Sequence, residues 1–356
     1  MKKNSSFVSL ALKMFAIVMM LVIVGCNSSN TSQSEGDTSS STEAPAQSPG
    51  PIELKVASNN TQTSWYQFSV ALSEVLKGSS PAMNVEVLPL AGGTGNVQIL
   101  DQGEADFAVL FNVTSKWAMD GTVAYEEKYE DLRGIAGGLN DYFIGIIARA
   151  DFLESNNIES ISDIKEQEIP VRVITNPVGT LAEYSTRLTL EAYGLDYDMV
   201  ESFGGNVELT SNDVIKSAFQ NGQADLHILA MSKGHPVITE MALSTDLTVM
   251  AMEDEILNYL GEYGFSNSVF PADEFNGQDY DVNTAGMLAG YVTHKDLDEE
   301  IAYAITKAII ENKEALVNGH SSVADFDPSQ AGNEEVIGVP LHPGAQRYYE
   351  EAGLLE

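Results

Sequence analysis

The sequence predicts an α/β protein built as two lobes on one plan. Short apolar runs alternate with amphipathic stretches of helical period from residue 52 onward. The same series of strands and helices occurs twice. Each occurrence closes on one pattern, Gly-x-Ala-Asp-Φ-x-x-Leu, where Φ is apolar: Gly103 to Leu110 in the first and Gly222 to Leu229 in the second.

The first unit opens with a strand, Ile52 to Ala57, and a polar loop, Ser58 to Ser64. A helix follows, with Trp65, Phe68, Leu72, Val75 and Leu76 on one face, and Gly78 ends it. A strand over Val85 to Leu90 leads through Gly92-Gly93-Thr94-Gly95 into a helix over Asn96 to Gln102, and Ala105 to Phe111 reads as a buried parallel strand. The second unit has a strand over Val171 to Thr175 and the loop Asn176-Pro177-Val178-Gly179-Thr180. A helix with Leu181, Tyr184 and Leu188 on one face closes near Gly194. A second helix covers about Asn212 to Asn221, and a strand runs from Ala224 to Met231. In both endings glycine stops the helix by taking a left-handed conformation, and aspartate turns the chain into the strand. A helix–Gly–Asp–strand turn also arises by chance in α/β chains, but the shared preceding elements favour two related lobes.

Residues 1–25 read as a signal peptide. Lys2, Lys3 and Lys13 precede an apolar run, Met14 to Val24, that is too short to span a bilayer. Gly25 before Cys26 resembles a bacterial lipoprotein signal, which makes Cys26, the only cysteine, the expected lipidation site and places the protein outside the cytoplasmic membrane. An ordinary signal peptide or a short membrane anchor shares the apolar run. Residues 26–51 are Ser-, Thr-, Gln- and Pro-rich, too polar to order themselves, and read as a disordered tether.

The net charge is −34, and loss of the three N-terminal lysines makes it −37. That balance excludes nucleic acid as a partner, because cationic side chains must replace its counterions. It also opposes charge-driven binding to an anionic membrane surface. Solubility alone, or a saline habitat, accounts for the acidity equally well.

The sequence carries few signs of catalysis. The five histidines, at 227, 235, 294, 320 and 342, make no His-Glu-x-x-His, so no zinc site is expected. Asp279, Asp281 and Asn283 mimic the start of a calcium loop, but Thr284 and Gly290 stand where Gly and Glu are required. Gly93-Thr94-Gly95 lacks the rest of a phosphate loop, and no Gly-x-Ser-x-Gly elbow occurs. The expectation is a binding protein, not an enzyme, with no cofactor.

Two open parallel sheets facing one another would form a cleft lined by helix N-termini, where free N–H groups suit a small anion. The candidate ligand contacts are Asn60, Thr61, Ser64, Tyr66, Thr94, Asn112, Gly179, Thr180 and His235. Trp65 serves equally well as core, and Asn112 as a helix cap. The backbone N–H groups of Gly179 and Thr180, with the Thr180 hydroxyl, are the expected carboxylate holders. Lys116, Arg187 and Lys233 are candidate cations, with Arg187 read first as a surface residue or a partner of Glu183.

An ordered set of segments carries a family resemblance: Asn96 to Asp106, Leu132 to Ala136, Ser160 to Ile164, Asn176 to Thr180 with its helix, Gly234-His235-Pro236, Pro271 to Asp279 with Phe275-Asn276-Gly277-Gln278, and the tail Pro340 to Tyr349. Together they resemble the TAXI-type solute-binding proteins of TRAP transporters. Two departures from that pattern lie at the cleft. Ser58 to Tyr66 replaces a Gly-rich first loop, and Val178 stands where serine is usual. The resemblance implies a type II periplasmic-binding fold and a receptor that passes a small organic anion, a dicarboxylate or an amino-acid-like compound, to an ion-gradient-driven permease. The expected lobes are 52–145 with about 255–356, and about 146–254, in a monomer. A receptor for an ATP-driven importer, a membrane sensor, or an enzyme on the same two-lobed fold are the alternatives.

Overall fold

The computed structural model describes residues 50–61, 63–90 and 92–355. The signal peptide, Cys26 and the tether up to residue 49 lie outside the described residues.

Ten strands form one hydrogen-bonded sheet: β1 Ile52–Ala57, β2 Met83–Leu88, β3 Phe107–Phe111, β4 Leu132–Arg149, β5 Arg172–Thr175, β6 Asn206–Leu209, β7 Leu226–Met231, β8 Leu247–Met250, β9 Ser266–Phe270 and β10 Val282–His294. The order is β2-β1-β3-β10-β4-β7-β5-β6, with β8 added to β4 and β9 to β10. Strand β1 lies parallel to β2 and β3, and β5 lies parallel to β6 and β7. Strands β10 and β4 run antiparallel to each other and to β3 and β7 respectively. The order therefore reads alike from both edges, and the two sequence repeats, β2-β1-β3 and β6-β5-β7, occupy its two ends.

This corrects the expectation of two separate parallel sheets, because the strands with the Gly-x-Ala-Asp signature, β3 and β7, share one sheet. The cause is the length of β4. Its first part, Leu132 to Phe143, pairs with β10, and its last part, Phe143 to Ala148, pairs with β7. One strand of 18 residues thus serves both halves. Its apolar run hides that length, because Gly137, Gly138, Asn140 and Asp141 interrupt it.

Strand β4 is also bulged. Ala289 of β10 faces Asn140, yet Tyr291, two residues on, faces Ala136. The surplus residues include Gly138 at φ +71°. A bulge of this kind bends and twists its strand. The two strands lie so close here that a Cβ on Gly290 would stand 2.6 Å from the Ala136 carbonyl oxygen.

Helices cover the sheet where the 3.6-residue period places apolar faces. In Ser64–Lys77, Trp65, Phe68, Leu72 and Leu76 are buried, and Trp65 meets Phe111 with ring centroids 4.7 Å apart. Phe68 and Phe107 pack around the buried Tyr291, whose hydroxyl lies 2.9 Å from Ser69 Oγ. In Leu181–Ala192, Leu181 and Leu188 are buried, but Tyr184 is only half-buried and packs across the sheet halves against Trp117, at 6.1 Å between ring centroids. The strand expected at Val85 to Leu90 ends instead at Leu88, because Pro89 has no N–H to extend the ladder.

The tail packs on the first half. Gly134 donates to the Pro340 carbonyl, and the Gly134 carbonyl accepts from the His342 N–H. The Tyr349 hydroxyl, from the helix Pro343–Glu351, donates to the Ile135 carbonyl at 3.0 Å. The Phe275-Asn276-Gly277-Gln278 loop is held by Gln278, whose amide donates to the Pro271 carbonyl at 3.0 Å and accepts from the Glu274 N–H at 3.1 Å. The calcium-like segment enters β10 at Val282, and Asp281 accepts from the Ala272 N–H at 2.9 Å. It is a structured turn.

Candidate functional site: a polar cavity at the joint of the two halves

Two cavities compete for the role of ligand site. One, of 690 Å³, is lined by Asn112, Lys116, Ser266, Glu334 and Glu335 among others. Its central polar side chains, Asn112 and Lys116, are already engaged. Asn112 accepts from the Leu288 N–H at 2.9 Å and donates toward the Gly264 and Glu335 carbonyls at 3.4 Å. Lys116 pairs with Asp120 at 2.9 Å. Asn112 therefore ties the helix Asn112–Asp120 to β10 and to the segment around Glu335.

The second cavity, of 540 Å³, draws its lining from both repeats. Thr63 and Ser64 come from the start of the first helix, Asn140, Asp141 and Tyr142 from the middle of β4, Ser232 to Pro236 from the segment after β7, and His320, Ser321, Ser322 and Asp325 from the C-terminal third. Here polar atoms remain unmatched. Neither end of the Asn140 carboxamide, which is 3% exposed, nor the indole N–H of Trp65 meets a hydrogen-bond partner of full geometry among the described residues. Both face the Tyr142 phenol together with Ser64. Burial raises the phenol's pKa, and these three donors offset part of the rise. A buried amide held only by poorly aligned partners forfeits up to about 1–3 kcal/mol, which a ligand that hydrogen-bonds to it would recover.

The charges around this cavity are unevenly matched. Lys233 binds Asp325 at 2.7 Å, which raises the ammonium's pKa and lowers that of the carboxyl. Asp141 has its carboxyl raised by burial, with Lys233 opposing that and Asp325 adding to it. Burial lowers His235 to about 4. It is therefore neutral at pH 7, with Nδ1 enclosed and lacking a partner among the described residues.

The remaining sequence candidates lie around this centre in different ways. Ser64 and His235 line the cavity. Asn60 and Thr61 are exposed in the turn before the first helix, and Tyr66 is half-buried, its N–H capped by Thr63 Oγ at 3.4 Å. Thr94 and Gly179, from loops of opposite repeats, touch directly: the Thr94 hydroxyl donates to the Gly179 carbonyl at 3.3 Å. Thr180 caps the helix Leu181–Ala192, accepting from the Glu183 N–H at 3.2 Å, while its hydroxyl and N–H donate to the Pro177 carbonyl. Arg187 lies 3.6 Å from the buried Glu183 and over the Tyr184 ring, consistent with its reading as a partner of Glu183.

The sequence reading missed Asn140, Asp141, Tyr142 and Asp325. For the first two a signal existed, an Asn-Asp pair breaking an otherwise apolar strand, where unpaired polar groups are costly.

The model of the NMT1-like family matches residues 56–353. The chain belongs to the NMT1-like family. Distant likenesses among solved structures include the chloride-bound XAC2383 of Xanthomonas citri, at 13% identity and a TM-score of 0.49, covering 85% of this chain and 96% of that one. The malate-bound MatC of Rhodopseudomonas palustris is 12% identical with a TM-score of 0.48, over 85% and 97%. The periplasmic aliphatic sulphonate binding protein SsuA of Escherichia coli is 13% identical with a TM-score of 0.46, over 84% and 83%. Among the described residues, no helix of this NMT1-like chain is long and apolar enough to cross a membrane, and no group of three or more His, Cys, Asp or Glu residues is placed to hold a metal.

Proposed function

We propose that this protein is a solute receptor, anchored by lipid at Cys26 outside the cytoplasmic membrane, that binds a small organic acid and delivers it to a TRAP-type permease. The observation that carries the reading is the 540 Å³ cavity with the unmatched Asn140 amide at the joint of two repeats. A volume of that size suits a small metabolite. The lobes are 52–145 with about 255–356, and about 146–254, and they close on the ligand by rotation at β4 and β10. The Thr94–Gly179 contact supports this, since it joins loops of the two repeats in a closed arrangement. The ordered TAXI-like segments support the choice of permease. The receptor works as a monomer and without a cofactor.

Mass spectrometry of what co-purifies with the mature protein, followed by titration calorimetry of the compound found, tests the reading. The expected result is one small acid bound at one site and recovered unchanged. Chemical conversion of that compound overturns it in favour of an enzyme. A TRAP-type membrane subunit encoded beside the gene supports the choice of permease, and an ATP-driven importer in its place overturns that choice.

A further inference from the structure

We propose that Lys233 and Asp325 form an ionic latch that holds the two halves shut against their mutual charge repulsion. The inference rests on the receptor reading and adds what sets the balance between its open and shut arrangements. Lys233 follows β7 and so belongs to the second repeat. Asp325 belongs to the first half. The turn Ser321–Val323 just before it packs against the helix Lys313–Gly319 and against β4. That helix lies on Ser64–Lys77, so close that a Cβ on Gly319 would stand 2.5 Å from the Ala71 Cβ. The Lys233 ammonium meets the Asp325 carboxylate at 2.7 Å, and both residues line the 540 Å³ cavity.

This pair stands alone at the joint. Among the described residues, every other ion pair lies within 146–254 or within the rest of the chain. The Thr94–Gly179 bond and the Trp117–Tyr184 ring contact also cross the joint, but both are uncharged. The halves themselves repel. Residues 52–145 hold 12 acidic and 5 basic side chains, 146–254 hold 18 and 6, and 255–356 hold 19 and 4. Both halves are therefore strongly negative wherever their boundary falls, and like charge opposes their approach.

Lys233 is placed to answer that repulsion. Its bond to Asp325 raises the ammonium's pKa against partial burial, and Asp141 and Glu274 add to the rise. Rotation of the halves apart breaks this pair and leaves the contacts inside each half intact. The two side chains are 40% and 67% exposed. Such a pair adds little to the stability of a fold, because solvent screens it. The same small energy, applied to an equilibrium between two arrangements, changes their ratio by a few-fold, which is a measurable shift of population.

The test is pulsed electron spin resonance on the mature chain carrying Cys26→Ser. Nitroxide labels sit at Glu74→Cys and Glu201→Cys, exposed positions on helices of the two halves. The measurement is made at one fixed salt concentration and without added solute, so that a solute contact at Lys233 plays no part. Asp325→Asn and Lys233→Gln should each raise the ratio of open to shut label separations by about two- to fivefold. The charge-exchanged protein, Lys233→Asp with Asp325→Lys, should return to within about twofold of the unaltered pair. The sign is diagnostic. Repulsion alone predicts that neutralising an acid shuts the halves, as Glu314→Gln on the exposed face of Lys313–Gly319 should do weakly or not at all. Three outcomes overturn the latch: a ratio that Asp325→Asn leaves unchanged or lowers, an exchanged protein as open as the single variants, or single variants that melt clearly lower at an unchanged ratio, which makes the pair an ordinary structural contact. Two label separations that ignore Lys233 and Asp325 sink the latch and leave the rotating receptor standing. One separation in every variant sinks the rotation as well.

Discussion

Asp225 and Arg172 hold each other twice through the backbone: the Asp225 N–H donates to the Arg172 carbonyl at 2.9 Å, and the Asp225 carboxylate accepts the Arg172 N–H at 2.9 Å. Asp106 repeats this with Lys55, at 2.9 Å and 2.6 Å. The aspartate of the repeated motif thus clamps the end of β7 or β3 to the middle strand of its own unit. At Asp225 the guanidinium adds a further bond from Nε at 2.8 Å and one from Nη2. Asp225→Ala should therefore cost about 2–3 kcal/mol and Asp106→Ala about 1 kcal/mol. Urea midpoints measure both, and equal losses would show that the guanidinium contributes nothing.

Acid should weaken the fold through its buried histidines. His227 is fully buried with Nδ1 2.8 Å from the Ile174 carbonyl, and burial lowers its pKa to about 4, as for His235. The unfolded chain takes up these protons near pH 6.5, whereas the folded protein does so only near 4. Stability contributed by the neutral forms is thus complete above about pH 6.5 and falls as pH drops toward 4, by up to about 1.4 kcal/mol per pH unit for each group. His227→Asn should flatten that slope in chemical denaturation series between those limits. An unchanged slope rules His227 out as a source.

The Thr94–Gly179 bridge offers a way to separate closure from folding. Thr94→Val keeps the shape and removes the hydroxyl. The exposed bond is worth about 0.5–1 kcal/mol. Ligand affinity should therefore fall by about two- to fivefold while the ligand-free melting temperature stays the same. A drop in melting temperature with affinity intact would place the contact among ordinary loop bonds.

Thr180→Ala and Arg187→Ala should act mainly on stability. The first removes a helix cap, worth about 1 kcal/mol. The second leaves the buried Glu183 with the Tyr197 hydroxyl, at 3.2 Å, as its one remaining side-chain partner among the described residues. Thermal melts check both, and a large loss of affinity without loss of stability would return these residues to the ligand.

Gly290→Ala probes the bulge. Its Cβ would meet the Ala136 carbonyl oxygen at 2.6 Å, a backbone atom that yields only if β4 shifts. A cost of about 2–3 kcal/mol is expected, in line with overpacking elsewhere, and denaturant titration measures it.

Much of the fold was legible because both repeats obey local rules. Gly103 and Gly222 take φ +68° and +65° after their helices, as the motif required, and β1 spans the residues its apolar run marked. Ser64 and His235, expected from the sequence as ligand contacts, stand at helix starts and line the cavity. The joint was not legible. Strand β4 owes its length to pairing with β10, almost 150 residues away along the chain, and no local period encodes that partner. Asn140 and Asp141 gain their meaning from Trp65 and Lys233, which only the folded sheet brings near.

The mirrored strand order also sets a timetable. The first repeat ends at Phe111, but the neighbour that covers β3, β10, begins at Val282. At about 5–20 residues per second of synthesis, the first half waits roughly 10–30 s for the strand that completes it. Until then the edge of β3 is unpaired, and long-range pairings of this kind form slowly. A chain built in this way stays open until nearly its whole length exists.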